Sequence, residues 1–396
     1  MQPTTAGFPS SHTVASRGSG STRVYNFGAG PSTVPEEVVR QIQADVWDYA
    51  GSGMGILELS HRGKEYDTIV ADVDRDIRAV GNIPADYDVL FMTGGATSQN
   101  YIVPANLLPA GATADHLVTG HWAQGSFDDA KQYSSCHNAT ANIHLAYHGR
   151  ADRFAQLPSD DEIQYSKSPT YVHMTSNNTL YGTQWLDAQG RTRLPKVPAG
   201  AFLVSDACSD FFWDELDVSK FGLIYGGAQK NMGTAGTTFI VVRKDLVARA
   251  NKSIPRMLQY GVFAKEESRP NTPPVFAIYS VGLMVKWVKA QGGLKAIGQR
   301  NRMKAGLVYE ALDRHAGFYV PHARKSDRSM MNITFKCAAG PAMDDAFVAE
   351  AKLQGLDVLK GHRATGGMRA STYNAMPVEG CKALADFIDD FANRKG

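Results

Sequence analysis

Short apolar runs and longer amphipathic stretches alternate along most of this chain. The runs at 88–92, 117–119, 171–174, 202–205, 223–225 and 238–242 carry almost no polar alternation. They are too short for helices, and unbroken apolar character suits strands buried on both faces. Between them lie helical periods. Pro35 suits a first helical turn leading into 36–49, and 65–80 places Ile69, Val73, Ile77 and Val80 on one face. Strands separated by helices predict an α/β fold with a mainly parallel sheet, whose ligands gather at the carboxyl ends of the strands.

A proline-rich stretch, 270–274, punctuates the chain. Helical patterns then cover 275–291 and 294–315, the second expected to break at Gly298 and Gly306. A strand at 331–335, a helix at 343–353, strands near 356–359 and 368–373 and a closing helix after Pro377 complete the reading. No internal repeat is visible. At 396 residues the chain exceeds what one core supports, so a large domain over 24–275 and a smaller C-terminal α+β domain over 276–396 are expected. Residues 1–23 are rich in Ser, Thr and Gly, with Arg17 and Arg23 as the only charged side chains. Such a segment builds no core and reads as a disordered extension, with some character of an organelle transit peptide.

Composition narrows the partners. Forty-one basic against 39 acidic residues leave a formal charge of +2, too small to argue for nucleic acid or an anionic membrane. No apolar run approaches the roughly 20 residues that span a bilayer. Cys136, Cys208, Cys337 and Cys381 lie far apart, without a C-x-x-C pair or a histidine at ligand spacing. They suit reduced thiols in an intracellular, cytoplasmic protein, with neither a disulfide framework nor a metal site.

Lys230 is the residue most in need of explanation. It follows the buried run 221–225 in a glycine-rich setting, and lysine is rarely buried without a partner. The preceding run, 201–205, ends in Asp206. An acid and a lysine at the ends of neighbouring strands provide what pyridoxal phosphate requires, a Schiff-base amine and a carboxylate for the ring nitrogen. They would equally make an ordinary ion pair beside a loop.

Three more constellations carry two readings each. Thr93 to Gln99, with Gly94, Gly95, Ala96, Thr97 and Ser98, is either a helix start that can cradle phosphate or a plain tight turn. Trp122, beside His121, offers a face on which a flat ring can stack, or is a core tryptophan. His61, Arg62, His362, Arg363 and Arg369 would suit a substrate with two anionic groups, or are solvated surface charge.

Four segments, SHRGKEYD (60–67), GAQKNMGTAG (227–236), NTPP (271–274) and LKGHRATGGMRASTYNAMP (359–377), resemble the signature blocks of the phosphoserine aminotransferase family. The likeness runs from about Tyr25 to the C-terminus. It implies a fold-type I pyridoxal-phosphate transferase of the class V group, with a seven-stranded sheet in the large domain, working as a homodimer with shared active sites. By this resemblance Lys230 is the Schiff-base lysine, Asp206 partners the pyridine nitrogen, Trp122 stacks on the ring and Thr179 bonds its phenolic oxygen. Ala96, Thr97 and Gln229 would hold the cofactor phosphate, with Asn271 and Thr272 from the other subunit. His61, Arg62, His362 and Arg363 would bind the distal anion of the substrate, and Arg369 its α-carboxylate.

The implied reaction exchanges an amino group between L-glutamate and 3-phosphohydroxypyruvate, with 4-phosphohydroxythreonine as a further substrate of some members. Thr97 stands where an arginine often occurs in the family and Cys208 where a serine does, which leaves substrate selectivity less defined than reaction type. Cysteine desulfurases share the architecture but need a nucleophilic cysteine on a mobile C-terminal loop, which none of the four supplies. A non-catalytic binding module would need none of the lysine, aspartate, tryptophan and arginines together.

Overall fold

The computed structural model describes residues 23–396. The expectation of a disordered extension therefore lies, apart from Arg23, outside the described residues. The chain enters through β1 (Tyr25–Asn26), α1 (Glu36–Trp47) and α2 (Lys64–Gly81). Glu65 and Asp67 in the first turn of α2 and Arg78 in its last complement the helix dipole, and Asn82 ends it in a left-handed conformation. Ile69, Val73 and Ile77 are buried, as their spacing predicts.

Then follow β2 (Tyr87–Met92), α3 (Gln99–Leu107), β3 (Thr113–Val118), α4 (His121–His137), β4 (Asn142–His148), β5 (Pro169–Thr175) and a hairpin of β6 (Asn177–Asn178) and β7 (Thr183–Gln184). Next come β8 (Phe202–Asp206), β9 (Leu223–Gly227) and β10 (Thr238–Arg243), with short helices α5 (Lys244–Ala248) and α6 (Tyr260–Lys265) after them. Seven of these strands form one sheet in the order β2-β10-β9-β8-β5-β3-β4. Every pairing is parallel except the two made by β10, which runs antiparallel to β2 and β9. Six strands match the apolar runs; the seventh, β4, was not among them. It lies at the sheet edge, and in its sequence NIHLAYH only Ile143 and Ala146 are buried, so polar residues interrupt the apolar run.

The C-terminal part comprises α7 (Val275–Ala290), α8 (Gly293–Arg314), β11 (Tyr319–Pro321), β12 (Asn332–Cys337), α9 (Pro341–Leu353), β13 (Leu356–Asp357), β14 (Met368–Ser371) and α10 (Val378–Lys395). The packing does not change at residue 275. Ile278, Val281 and Val285 of α7, and Leu294 and Ile297 at the start of α8, share a core with α2 and the large sheet. From Ala305 onward α8 joins a second core, with β11, β12, β14, α9 and α10. That core also takes Phe27, because β1 pairs in parallel with β13. Nor do the glycines break α8. Gly298 lies against Asp214, where a Cβ would sit 2.0 Å from the carboxylate oxygen, so this glycine marks close packing within a continuous helix. No helix among the described residues is long and apolar enough to cross a membrane.

Candidate active site

Asp206 is the last residue of β8, and Lys230 follows the end of the adjacent parallel strand β9 by three positions. Both therefore emerge at one carboxyl edge, where a parallel sheet opens its ligand crevice. A cavity of about 380 Å³ lies there. Its wall includes Ala96, Thr97, Trp122, Thr179, Asp206, Gln229, Lys230, His362 and Arg369, nine of the residues singled out from the sequence.

Lys230 is only part-buried, and its Nζ donates to Thr179 Oγ1 at 3.1 Å, not to Asp206. The simple ion pair is thus not what forms. Asp206 Oδ1 instead accepts the backbone N–H of Cys208 at 3.0 Å. Ser32 donates its hydroxyl to the Lys230 carbonyl, which ties the turn to the entering chain.

Thr179 sits on the β6–β7 hairpin beside Asn178, whose Nδ2 donates to Thr183 Oγ1 at 2.9 Å and Thr119 Oγ1 at 3.3 Å. The same Asn178 explains Gly120. A Cβ there would lie 2.3 Å from Asn178 Oδ1, so only glycine lets the chain pass into α4.

That helix presents Trp122 in its first turn. The ring is 40% exposed, so it lines the cavity with an open face and is not a core tryptophan. Below it, Ser126 Oγ lies 3.2 Å from His173 Nε2, which lies 3.0 Å from the Tyr225 hydroxyl. Burial pushes His173 down to about 3, so its imidazole is neutral and joins α4 to β9 by hydrogen bonds without a charge.

Gly94 and Gly95, at φ +96° and +71°, turn the chain after β2 into the short helical turn Ala96–Ser98. Ala96 and Thr97 thereby reach the cavity wall.

Arg369, on β14, brings a cation from the second core. Its Nε is buried without a hydrogen-bond partner, and burial pulls its pKa below the usual guanidinium value. Its fork is of the shape that pairs with a carboxylate. His362 stands near it, lowered by burial and by the charges of Arg369, His121 and Arg363. The His121 and His362 rings are 6.0 Å apart.

Five expected residues lie outside the cavity. Arg363 is exposed on the loop after His362, and Asn271 and Thr272 are exposed before α7. His61 and Arg62 line a separate surface depression with Asp67, Lys265 and Arg269. Sequence reasoning missed Ala29, Gly30, Asn100, Thr175, Leu180 and Ser209 in the wall. Gly30 was recognisable as part of a Gly-Pro turn; the others stand in no motif of their own.

Cys208 also lines the cavity. Burial and the neighbouring Asp206 push its thiol well above the ordinary value, and Sγ accepts the Gly227 N–H at 3.3 Å. It is a packed thiol, not a nucleophile.

The aminotransferase class-V family matches residues 24–384. The chain belongs to that family. Among the class-V aminotransferases it is similar to a phosphoserine aminotransferase of Chromobacterium violaceum, 44% identical over 94% of this chain and 99% of the relative. The solved phosphoserine aminotransferase of Bacillus circulans subsp. alkalophilus superposes with a TM-score of 0.88 at 40% identity, covering 95% of this chain and all of that one. The pyridoxal-phosphate-bound phosphoserine aminotransferase of Trichomonas vaginalis superposes with a TM-score of 0.86 at 32% identity, over 92% and 99% of the two chains. The architecture is that of fold-type I class-V aminotransferases, with the mostly parallel seven-stranded sheet expected from the sequence.

Proposed function

We infer that this protein transfers the amino group of L-glutamate reversibly to 3-phosphohydroxypyruvate, giving O-phospho-L-serine and 2-oxoglutarate, a step of serine biosynthesis, with pyridoxal phosphate as cofactor. The observation that carries this reading is the Lys230 amine, held by Thr179 above a strand edge that also bears Asp206, in a cavity with an open tryptophan face and an unpaired arginine. This donor set fits the cofactor: an amine for its aldehyde, a carboxylate for its ring nitrogen, and backbone at a helical turn for its phosphate.

When bound, the cofactor supplies a ring that takes up the electron pair left as a proton leaves the α-carbon of the amino acid. Lys230 would hold it through Nζ, and the same amine, when free, would serve as the base that moves the α-proton. Asp206 would supply the carboxylate for its ring nitrogen. Trp122 would lie against the ring and exclude water from it. Thr179 orients the Lys230 amine and would donate to the cofactor's phenolic oxygen. Arg369 grips the α-carboxylate bidentately, and His362 and Arg363 lie towards the distal anion. Glutamate and the phosphorylated oxo acid each carry an anion at both ends, so one cationic pocket serves both.

The protein works as a homodimer in the cytoplasm. His61 and Arg62 of a second copy complete the distal pocket, and Asn271 and Thr272 of that copy reach the cofactor phosphate. That none of the four lines the cavity of its own chain supports this, as do Trp47 and Leu57, 87% and 66% exposed in the segment before His61. Four free cysteines suit a reducing compartment. The two domains expected over 24–275 and 276–396 are proposed as units that meet within α8, since α7 and the start of α8 pack in the large core and α8 from Ala305 in the second. The test is a coupled assay with glutamate and a panel of 2-oxo acids; equal turnover of phosphorylated and plain acceptors would overturn the assigned substrate, and wild-type turnover by Lys230→Ala the mechanism.

A further inference from the structure

Lys304, on α8, is wholly buried, yet it makes no ion pair among the described residues. Its Nζ donates to three successive backbone carbonyls, those of Thr372 at 2.9 Å, Tyr373 at 2.6 Å and Asn374 at 3.5 Å. Burying an ammonium is expensive unless it is fully hydrogen-bonded. Burial pulls this one down to about 7, with Arg300 acting the same way and Cys381 opposing, while the three carbonyls favour the charged form.

The turn that Lys304 gathers is no ordinary loop. It begins one residue after β14, the strand that carries Arg369. Tyr373 donates its hydroxyl to the carbonyl of Ala29, a residue of the cavity wall, at 3.0 Å. Asn374 donates its backbone N–H to Asn231 Oδ1 at 3.0 Å, and Asn231 adjoins Lys230. Asn231 Nδ2 continues to the Phe211 carbonyl at 3.1 Å, and Asn374 Nδ2 to that of Phe212 at 2.8 Å. From α8, one turn before Lys304, Asn301 Nδ2 reaches Asn374 Oδ1 at 2.8 Å and the Trp213 carbonyl at 2.7 Å. Asn231, Asn301, Tyr373 and Asn374 are each at most 2% exposed.

We propose that Lys304 is a positioning residue for the reaction: by clamping the 372–374 turn it fixes the distance between the carboxylate-binding Arg369 and Lys230. The two residues belong to different cores, which also meet through β12, the strand paired with β14: Thr334 Oγ1 donates to the Leu180 carbonyl at 3.2 Å and Asn177 Nδ2 to Asn332 Oδ1 at 2.7 Å. The clamp adds the tie from the other side of Lys230. Its donors converge from α8, the helix that runs through both cores, on the segment that continues β14 and bonds to Asn231, the neighbour of Lys230. An apolar side chain would fill the space but leave the Thr372 and Asn374 carbonyls without the ammonium and the Tyr373 carbonyl with the Met376 N–H alone, and the turn would shift to find partners.

This inference rests on Arg369 as the ligand of the α-carboxylate, and the experiment separates the two. Lys304→Met and Arg369→Lys are compared in the full-length holoenzyme, with KM and kcat for glutamate and for 3-phosphohydroxypyruvate and the dissociation constant of the cofactor measured for each. Lys304→Met is expected to raise KM for both substrates about tenfold, with kcat and cofactor affinity within a few-fold of the parent. Lys304→Arg, which keeps the charge and donors, should recover part of the loss. A merely structural lysine would lower the folded fraction while the surviving enzyme kept the parental KM, and that result overturns the proposal. Unchanged KM in Arg369→Lys would instead defeat the carboxylate assignment. Should Lys304→Met not fold, Asn301→Ala loosens the same turn with the ammonium in place, and it carries the same expectation and the same refutation.

Discussion

Trp122→Ala offers a quantitative test of how the cavity holds its cofactor. The ring is 40% exposed. A tryptophan side chain presents up to about 250 Å², so about 100 Å² stands open, and a planar ring over one face would cover about half of that. At roughly 25 cal/mol per Å² the buried area contributes about 1.3 kcal/mol. Stacking geometry adds about 0.5–1.5 kcal/mol. The total of about 2–3 kcal/mol corresponds to a cofactor dissociation constant weakened roughly 30- to 150-fold. Cofactor-free enzyme titrated with pyridoxal phosphate, with the absorbance of the bound form followed, measures this directly. Trp122→Phe should fall between the two. A dissociation constant for Trp122→Ala within twofold of the parent would refute the stacking role, because no phenylalanine, tyrosine or second tryptophan lines this cavity among the described residues.

Other outcomes follow from the same geometry. If two chains complete each site, mixing Lys230→Ala with the double variant His61→Ala/Arg62→Ala should restore about a quarter of parental activity at low substrate, since half the dimers are hybrids with one intact site; no restoration would place both groups in one chain. Asp210 is buried, accepts hydrogen bonds from Ser176 and Gln184, and is pushed up to about 6 chiefly by desolvation. A raised folded pKa means that its contribution to stability is present below about pH 4 and lost as pH climbs through 6. Asp210→Asn should therefore lose less stability than the parent between pH 4 and 7, by up to about 3 kcal/mol; parallel Tm-versus-pH curves would contradict this. Cys208→Ala should keep transamination within about threefold and release no sulfide from cysteine, as expected of a packed thiol; loss of turnover would reinstate it as a reacting group.

Much of this site could be read from the sequence because its chemistry is local. A lysine and an aspartate at the ends of consecutive apolar runs must share an edge if the strands are parallel and adjacent, and β8 and β9 are both. Trp122 carried no such constraint. Whether it was core or cavity depended on α4 leaving the sheet at Gly120, a geometry fixed by Asn178 from a distant hairpin. The edge strand β4 escaped detection because a half-covered strand mixes polar and apolar residues, and Gly298 looked like a helix breaker because the Asp214 that explains it lies far off in sequence. Lys304 was illegible for a related reason. Its partners are backbone carbonyls 68 to 70 residues away, and a carbonyl leaves no mark in a sequence.

The pairing of β1 with β13 sets an order of events during synthesis. Tyr25 hydrogen-bonds and packs against a strand that begins at Leu356, and the segment just after β1 supplies Ala29 and Gly30 to the cavity wall. The large sheet is complete once Arg243 has left the ribosome, but the amino-terminal segment must wait, unpaired, for residues made more than three hundred positions later. A nascent chain stalled before β13 would thus hold a finished sheet and an unfinished cavity.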